Sequence, residues 1–171
     1  MKTRPLHFLL LGWFILAGAL NPGYGQTDLS QAQSLRQTTL HIGKAMLHTE
    51  IAATGPQREI GLMNRTHLAD NDGMIFLLPH LEQATFWMKN CHIPLSIAFI
   101  DKNGVILDIH DMMAPDPANP VPDNQLPIYR SDTDQVAFAL EANLHWFALN
   151  GIKPGDKLDP LPATLGTATG N

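Results

Sequence analysis

Three groups of residues have types and spacings that could do chemistry. In the run Phe86-Trp87-Met88-Lys89-Asn90, an extended backbone puts Phe86 and Met88 on one face and Trp87 and Lys89 on the other. An aromatic face beside an ammonium, followed by an amide, suits a carboxylate or sugar-like ligand. The same residues also suit a scaffold, with Lys89 lying over Trp87 and Asn90 closing a turn. Arg58 and Arg65 form the second group. On one helix they would share a stripe with Leu62 between them, and two guanidinium groups so aligned could clamp an anion. Salt bridges to Glu59, Asp70 or Asp72 are the simpler use of the same pair. Asp101 and Glu141 are the third group, two carboxylates able to serve as general acid and base if brought within reach. Asp101 stands before Asn103-Gly104 and suits turn chemistry, while Glu141 could pair with Lys89, Arg58 or Arg65.

Several chemistries lack their signatures. No serine stands in a nucleophile-elbow context and no glycine-rich phosphate loop occurs, so hydrolase and nucleotide readings find no support and no cofactor is expected. Eight histidines and seven methionines raise the question of copper in an oxidising compartment, since thioethers favour Cu(I). No HExxH or closely spaced Cys/His set answers it. Cys91 and His92 are adjacent, so on a strand their side chains point apart, and no metal site is expected. The lone cysteine, Cys91, has no internal disulfide partner and reads as a small buried hydrophobe.

The N-terminus has the three parts of an export signal. Lys2 and Arg4 supply a positive start, Phe8 to Leu20 is an uncharged apolar run, and Gly23-Tyr24-Gly25 offers a small-x-small cleavage pattern. The apolar run is shorter than the roughly 20 residues a spanning helix needs. Residues 1–25 therefore read as a signal peptide, giving a periplasmic or extracellular location. Its removal leaves 9 basic against 16 acidic residues, a formal net charge of −7. That balance argues against nucleic acid, whose binders replace phosphate counterions with a basic face, and against anionic membranes.

The elements that must position these residues are mostly short strands. Residues 26–37 are a polar, flexible lead-in; 38–159 form one β-rich domain; the uncharged stretch 160–171 reads as a disordered tail. Strands are predicted at 45–53, 74–78, 85–89, 95–101, 105–111 and 135–141. Asn103-Gly104 marks a hairpin between the fourth and fifth. Alternation places Val105, Leu107 and Ile109 inward with Asp108 and His110 outward, and Val136, Phe138 and Leu140 inward on the last strand. Thr54 and Gln57 fit a capping box for a helix running to about Met63. A second helix is predicted from Asn143 as N-cap to a stop at Gly151. Between them, five prolines in residues 114–127 exclude regular helix and central strand.

The blocks REIGLMNR (58–65), DGMIFLLP (72–79), FWMKNCHIPLSIAFIDKNG (86–104) and ALEANLHWFALNGIKPGD (139–156) resemble the domain-of-unknown-function family 192. The resemblance spans residues 38 to 159; Cys91 stands where that family more often has threonine. It implies a compact antiparallel β-sandwich or barrel-like domain, often exported, and brings no activity with it. From the residues themselves the leading expectation is an envelope module that binds a small polar or anionic ligand or a partner, through Arg58, Arg65, Trp87, Lys89 and Asn90. An enzyme using Glu141 or Asp101 beside that cationic cluster is the competing class. A scaffold role through the proline-rich loop is a third, and it predicts an exposed apolar patch without a pocket.

Overall fold

The computed structural model describes residues 33–161; the expected signal segment (1–25), most of the expected lead-in and the residues beyond Leu161 lie outside the described residues. Nine strands are described: β1 (Gln37–Ile42), β2 (Ala45–Ala52), β3 (Asp72–Glu82), β4 (Thr85–Trp87), β5 (Leu95–Asp101), β6 (Ile106–Met112), β7 (Ile128–Arg130), β8 (Val136–Asn143) and β9 (Leu158–Asp159). Two short helices join them, α1 (Gly55–Ile60) and α2 (Trp146–Leu149). Seven strands form one sheet in the order β6-β5-β8-β3-β2-β1-β9, and β4 pairs with β7 in a separate ribbon. The protein is mainly β, as expected. All pairings are antiparallel save one: β2 runs parallel to β3, because the chain passes through α1 before returning to the sheet.

Apolar side chains alternate between two cores. On β5, Ala98 and Ile100 join one cluster while Leu95, Ile97 and Phe99 join the other; β3 divides Ile75 from Met74 and Phe76 in the same way. Successive strand residues point to opposite faces, so each face of the sheet carries its own core. The first is closed by Trp146 and Phe147 of α2, and the second packs against Phe86 and Tyr129 of the β4–β7 ribbon.

This two-sided burial corrects the strand-face predictions. On central β8, Ala137, Ala139, Glu141 and Ala142 are buried along with Val136, Phe138 and Leu140, so that strand has no outward face. On β6 the pairing slips where Phe99 faces Asp108 but Ile100 faces Ile106, leaving Leu107 as an extra residue. That bulge puts Leu107 with the second core and Ile109 with the first. Asp108 is 7 % exposed rather than outward in solvent.

The helix predictions hold at one end and fail at others. Thr54 caps α1 with both arms of the capping box, but the helix ends at Ile60, not Met63. Asn143 is the last residue of β8, not an N-cap: its side-chain amide donates to the carbonyls of Leu68 and Ala69. His145, at φ 64°, precedes α2 instead.

Candidate functional site

The capping box fixes the start of α1, which sets Arg58 in its last turn. Its Nη1 donates to the Ala53 carbonyl at 2.6 Å and the Leu77 carbonyl at 3.0 Å, holding the guanidinium between helix and sheet. Gly61 then ends the helix at φ 50°, where a Cβ would stand 3.3 Å from the Phe76 ring. Both the backbone angle and the contact favour glycine there. The chain turns through Met63 to Asn64, whose N–H donates to the Asn90 carbonyl at 2.8 Å.

From the other side, β4 ends at Trp87, which pairs with Ile128 in the last rung of its ladder with β7. Lys89 follows with its ammonium 5.2 Å from the Trp87 ring centroid, so the two share a face as alternation predicts. Its Nζ also meets Asp123 Oδ2 at 2.6 Å, and Asp123 lies in the proline-rich loop. Asn90, at φ 53°, makes the turn itself, its amide touching Met63 Sδ at 3.9 Å. It does not line the cavity that the other residues form.

These elements meet over Glu141. A cavity of about 30 Å³ is walled by Arg58, Gly61, Phe76, Phe86, Trp87, Lys89 and Cys91, with Glu141 among them. It adjoins a groove of about 260 Å³ with which it shares Arg58, Glu59, Phe86 and Trp87. The small cavity has room for a water or one small polar group, and the groove has room for more. Larger hollows exist elsewhere, including one of about 580 Å³ between Thr66, Pro94, Trp146 and Leu149. None of them joins cations, aromatic rings and a buried acid, and size alone does not make a site.

Glu141 is 5 % exposed. In the sheet it sits between Met74 of β3 and Ile97 of β5, both fully buried. Removal from water disfavours the carboxylate, and its pKa rises from 4.5 to about 8. None of the expected cations offsets this. Lys89 turns to Asp123, Arg58 to backbone carbonyls, and Arg65 to Glu50. Glu141 is thus mainly a neutral acid at pH 7, a donor in a pocket whose other polar walls are Arg58, Lys89 and the acidic Glu59. Burial, and after it the nearby Glu141, push the Cys91 thiol up to about 12, so the cysteine is a wall and not a nucleophile.

Two expected site residues lie apart. Arg65 falls beyond the end of α1, so the shared stripe with Arg58 does not form. Both its terminal nitrogens meet the Glu50 carboxylate at 2.7 Å, a partner that sequence reasoning did not name. Asp101 closes the β5–β6 turn, Oδ1 accepting from the N–H groups of Asn103 and Val105 at 2.8 Å. It has no part in the pocket.

Residues 38–160 match the family DUF192, described as Uncharacterized ACR. The chain belongs to that family. Among solved structures it is similar to a Sinorhizobium meliloti protein described as a candidate transcription regulator. That likeness has 30 % identity and a TM-score of 0.65, covering 75 % of this chain and 97 % of the other. A Novosphingobium aromaticivorans protein of unknown function is similar at 31 % identity and TM-score 0.61, covering 80 % and 99 %. No curated protein matches. DUF192 brings a shared fold and no established activity.

Sequence reasoning missed one further constellation. Asp108, His110 and Asp132 come together with ligand atoms all within 4.8 Å of one another. The Asp-x-His spacing on β6 was a visible signal, since residues two apart share a face. Asp132 arrives from a loop after β7, and nothing local in the sequence announces it.

Proposed function

We propose that this domain binds a small polar ligand bearing an anionic group, and that the groove beside α1 and β4 is where it lies. One observation carries the reading: Arg58, Trp87 and Lys89 line one concavity with Glu141. A protonated Glu141 adds a hydrogen-bond donor there instead of a repelling charge. The Nη2 and Nε donors of Arg58 have no partner among the described residues, so they are available to a carboxylate or phosphate. Besides the Trp87 ring, Lys89 is held among the described residues by Asp123, whose side chain is 61 % exposed. An incoming anion can replace that partner at small cost. The export signature at residues 1–25 supports an envelope or extracellular setting, and the net acidic charge supports a small-molecule ligand over nucleic acid or a membrane surface.

Thermal-shift measurement on the purified chain, against phosphate, sulfate, acetate and a sugar acid, tests this. One anion class should raise Tm, because binding to the native state alone raises stability, and Lys89→Ala should abolish most of the rise. If no anion stabilises the protein, or Lys89→Ala responds as the parent does, the reading fails.

A second reading uses the same pocket. A carboxyl with a pKa near 8 can protonate a bound ligand, which makes Glu141 a general acid. That version predicts that Glu141→Gln keeps anion binding while ending any turnover of the bound ligand. The scaffold role has less behind it. The proline-rich loop and its flanks do expose Met113, Val121 and Ile128, but pockets are present as well.

A further inference from the structure

Two buried polar atoms on β6 are unsatisfied. Asp108 Oδ1 and His110 Nε2 are shielded from solvent, and neither has a hydrogen-bond partner among the described residues. They face each other at 3.3 Å, within ion-pair distance but without hydrogen-bond geometry. Orphaned buried groups are rare, because each costs its lost hydration, and an ion or a water is a standard resolution.

The surroundings are built rather than incidental. Asp108 and His110 lie in regular register opposite Phe99 and Ile97 and so share a face, and the His110 ring packs edge-on against Phe99 with centroids 5.7 Å apart. The other oxygen of Asp108, Oδ2, accepts from the backbone N–H of Asp132 at 2.8 Å. That fixes the carboxylate and draws in the third residue. The loop bearing Asp132 is itself pinned by buried Ser131, which exchanges hydrogen bonds of 3.0 Å with Ala84 through its N–H and its Oγ. Two ligand atoms are therefore shielded, and the third, on exposed Asp132, opens toward solvent.

The geometry points to a divalent transition-metal site formed by Asp108 Oδ1, His110 Nε2 and an Asp132 carboxylate oxygen, with zinc the best-fitting ion. Zn–N and Zn–O bonds of ~2.0–2.2 Å make the edge of a tetrahedron about 3.3–3.6 Å; the two orphaned atoms stand 3.3 Å apart, and the Asp132 oxygen, within 4.8 Å of both, would close the remaining gap by a rotation of its exposed side chain. An imidazole donor with two carboxylates suits zinc over magnesium or calcium, which take all-oxygen shells of six or more ligands. Three protein ligands leave the fourth position to water or an exogenous ligand, as in an open rather than a purely structural site. The ring series Phe76–Phe86–Phe99–His110, with successive centroids 5.0, 5.8 and 5.7 Å apart, packs this site against the walls of the Glu141 pocket. None of the three ligands lines that pocket, so this site stands or falls independently of the anion reading.

Titration of the chelator-treated full chain with zinc chloride by calorimetry tests the site, with the bound ion located by the ¹⁵N shift of the His110 ring. One equivalent should bind per chain, and the His110 Nε2 resonance should move. Asp132→Ala, an exposed loop change that leaves both cores intact, should weaken binding at least tenfold, and His110→Gln more. Cobalt in place of zinc should show the intense visible absorption of a four-coordinate ion. Asp108→Asn is not used alone, because it disturbs a buried loop contact. The proposal is overturned if no stoichiometric zinc binds. It is equally overturned if Asp132→Ala and His110→Gln bind as the parent does, which would assign the metal to another histidine and leave water between the orphaned atoms.

Discussion

Glu50 and Glu141 are two shielded carboxylates on neighbouring parts of one sheet, and the fold treats them in opposite ways. Glu50 is met by both terminal nitrogens of Arg65 at 2.7 Å, with side chains only 13 % and 16 % exposed. Arg65 also donates to the Gln33 carbonyl at 2.9 Å. Both terminal nitrogens of Arg65 are committed, though its buried Nε has no partner among the described residues, and the pair ties the segment after α1 to β2. Glu141 sits deeper, between Met74 and Ile97, and receives no cation although Arg58 and Lys89 share its cavity. A carboxylate with a dedicated partner fixes structure. One left unpaired beside accessible cations keeps its proton and its neighbours free for something else.

The comparison can be broken most decisively at the paired site. Arg65→Ala should destabilise the protein by about 3 kcal/mol in a denaturant titration, since it strands a largely buried charge. A loss below about 1 kcal/mol would mean that the pair behaves as a surface ion pair, and the contrast with Glu141 would collapse.

The next effect lies in pH. Because the folded pKa of Glu141 is raised from 4.5 to about 8, the native state holds a proton that the unfolded chain has released throughout that window. Its contribution to stability is whole below about pH 4.5 and is lost as pH rises through about 8, at up to about 1.4 kcal/mol per pH unit. Glu141→Gln should flatten this component, so the difference between the two stability profiles should grow steadily toward pH 8. Parallel profiles would place Glu141 in water and remove the neutral donor from the pocket.

The smallest effect sharpens the contrast between the two cation partners. Asp123→Ala should change stability by less than about 1 kcal/mol, because its carboxylate is mostly exposed. The same change should tighten anion binding severalfold by freeing Lys89, measured by calorimetry with whichever anion the thermal-shift screen identifies. Weaker binding in this variant would make the loop part of the site rather than a replaceable partner.

Much of the local architecture was legible. Thr54 and Gln57 announced α1, Asn103-Gly104 the turn between β5 and β6, and the bounds of β5 were read correctly. Trp87 and Lys89 were placed on one face by alternation alone, and Arg58, Trp87, Lys89 and Glu141 do line one cavity. Less legible was anything set by a partner distant in sequence. Glu50 lies 15 residues from Arg65, and no spacing rule joins a strand residue to one beyond a helix end. Strand faces failed on β6 because a bulge at Leu107 slips its pairing with β5, and on β8 for a different reason. Alternation presumes one wet face, and a central strand between two cores has none.

By itself the sequence determined that the chain is β-rich, where its turns and its first helix begin, and that its charge is acidic. Those follow from backbone preferences and side-chain chemistry acting within a few residues. Only the tertiary structure decided that Glu141 lacks a counter-ion, that Arg65 has one, and that Asp132 joins Asp108 and His110. Hydration, charge pairing and ligand geometry depend on what stands within a few ångströms in space, and strand order and a single bulge set that.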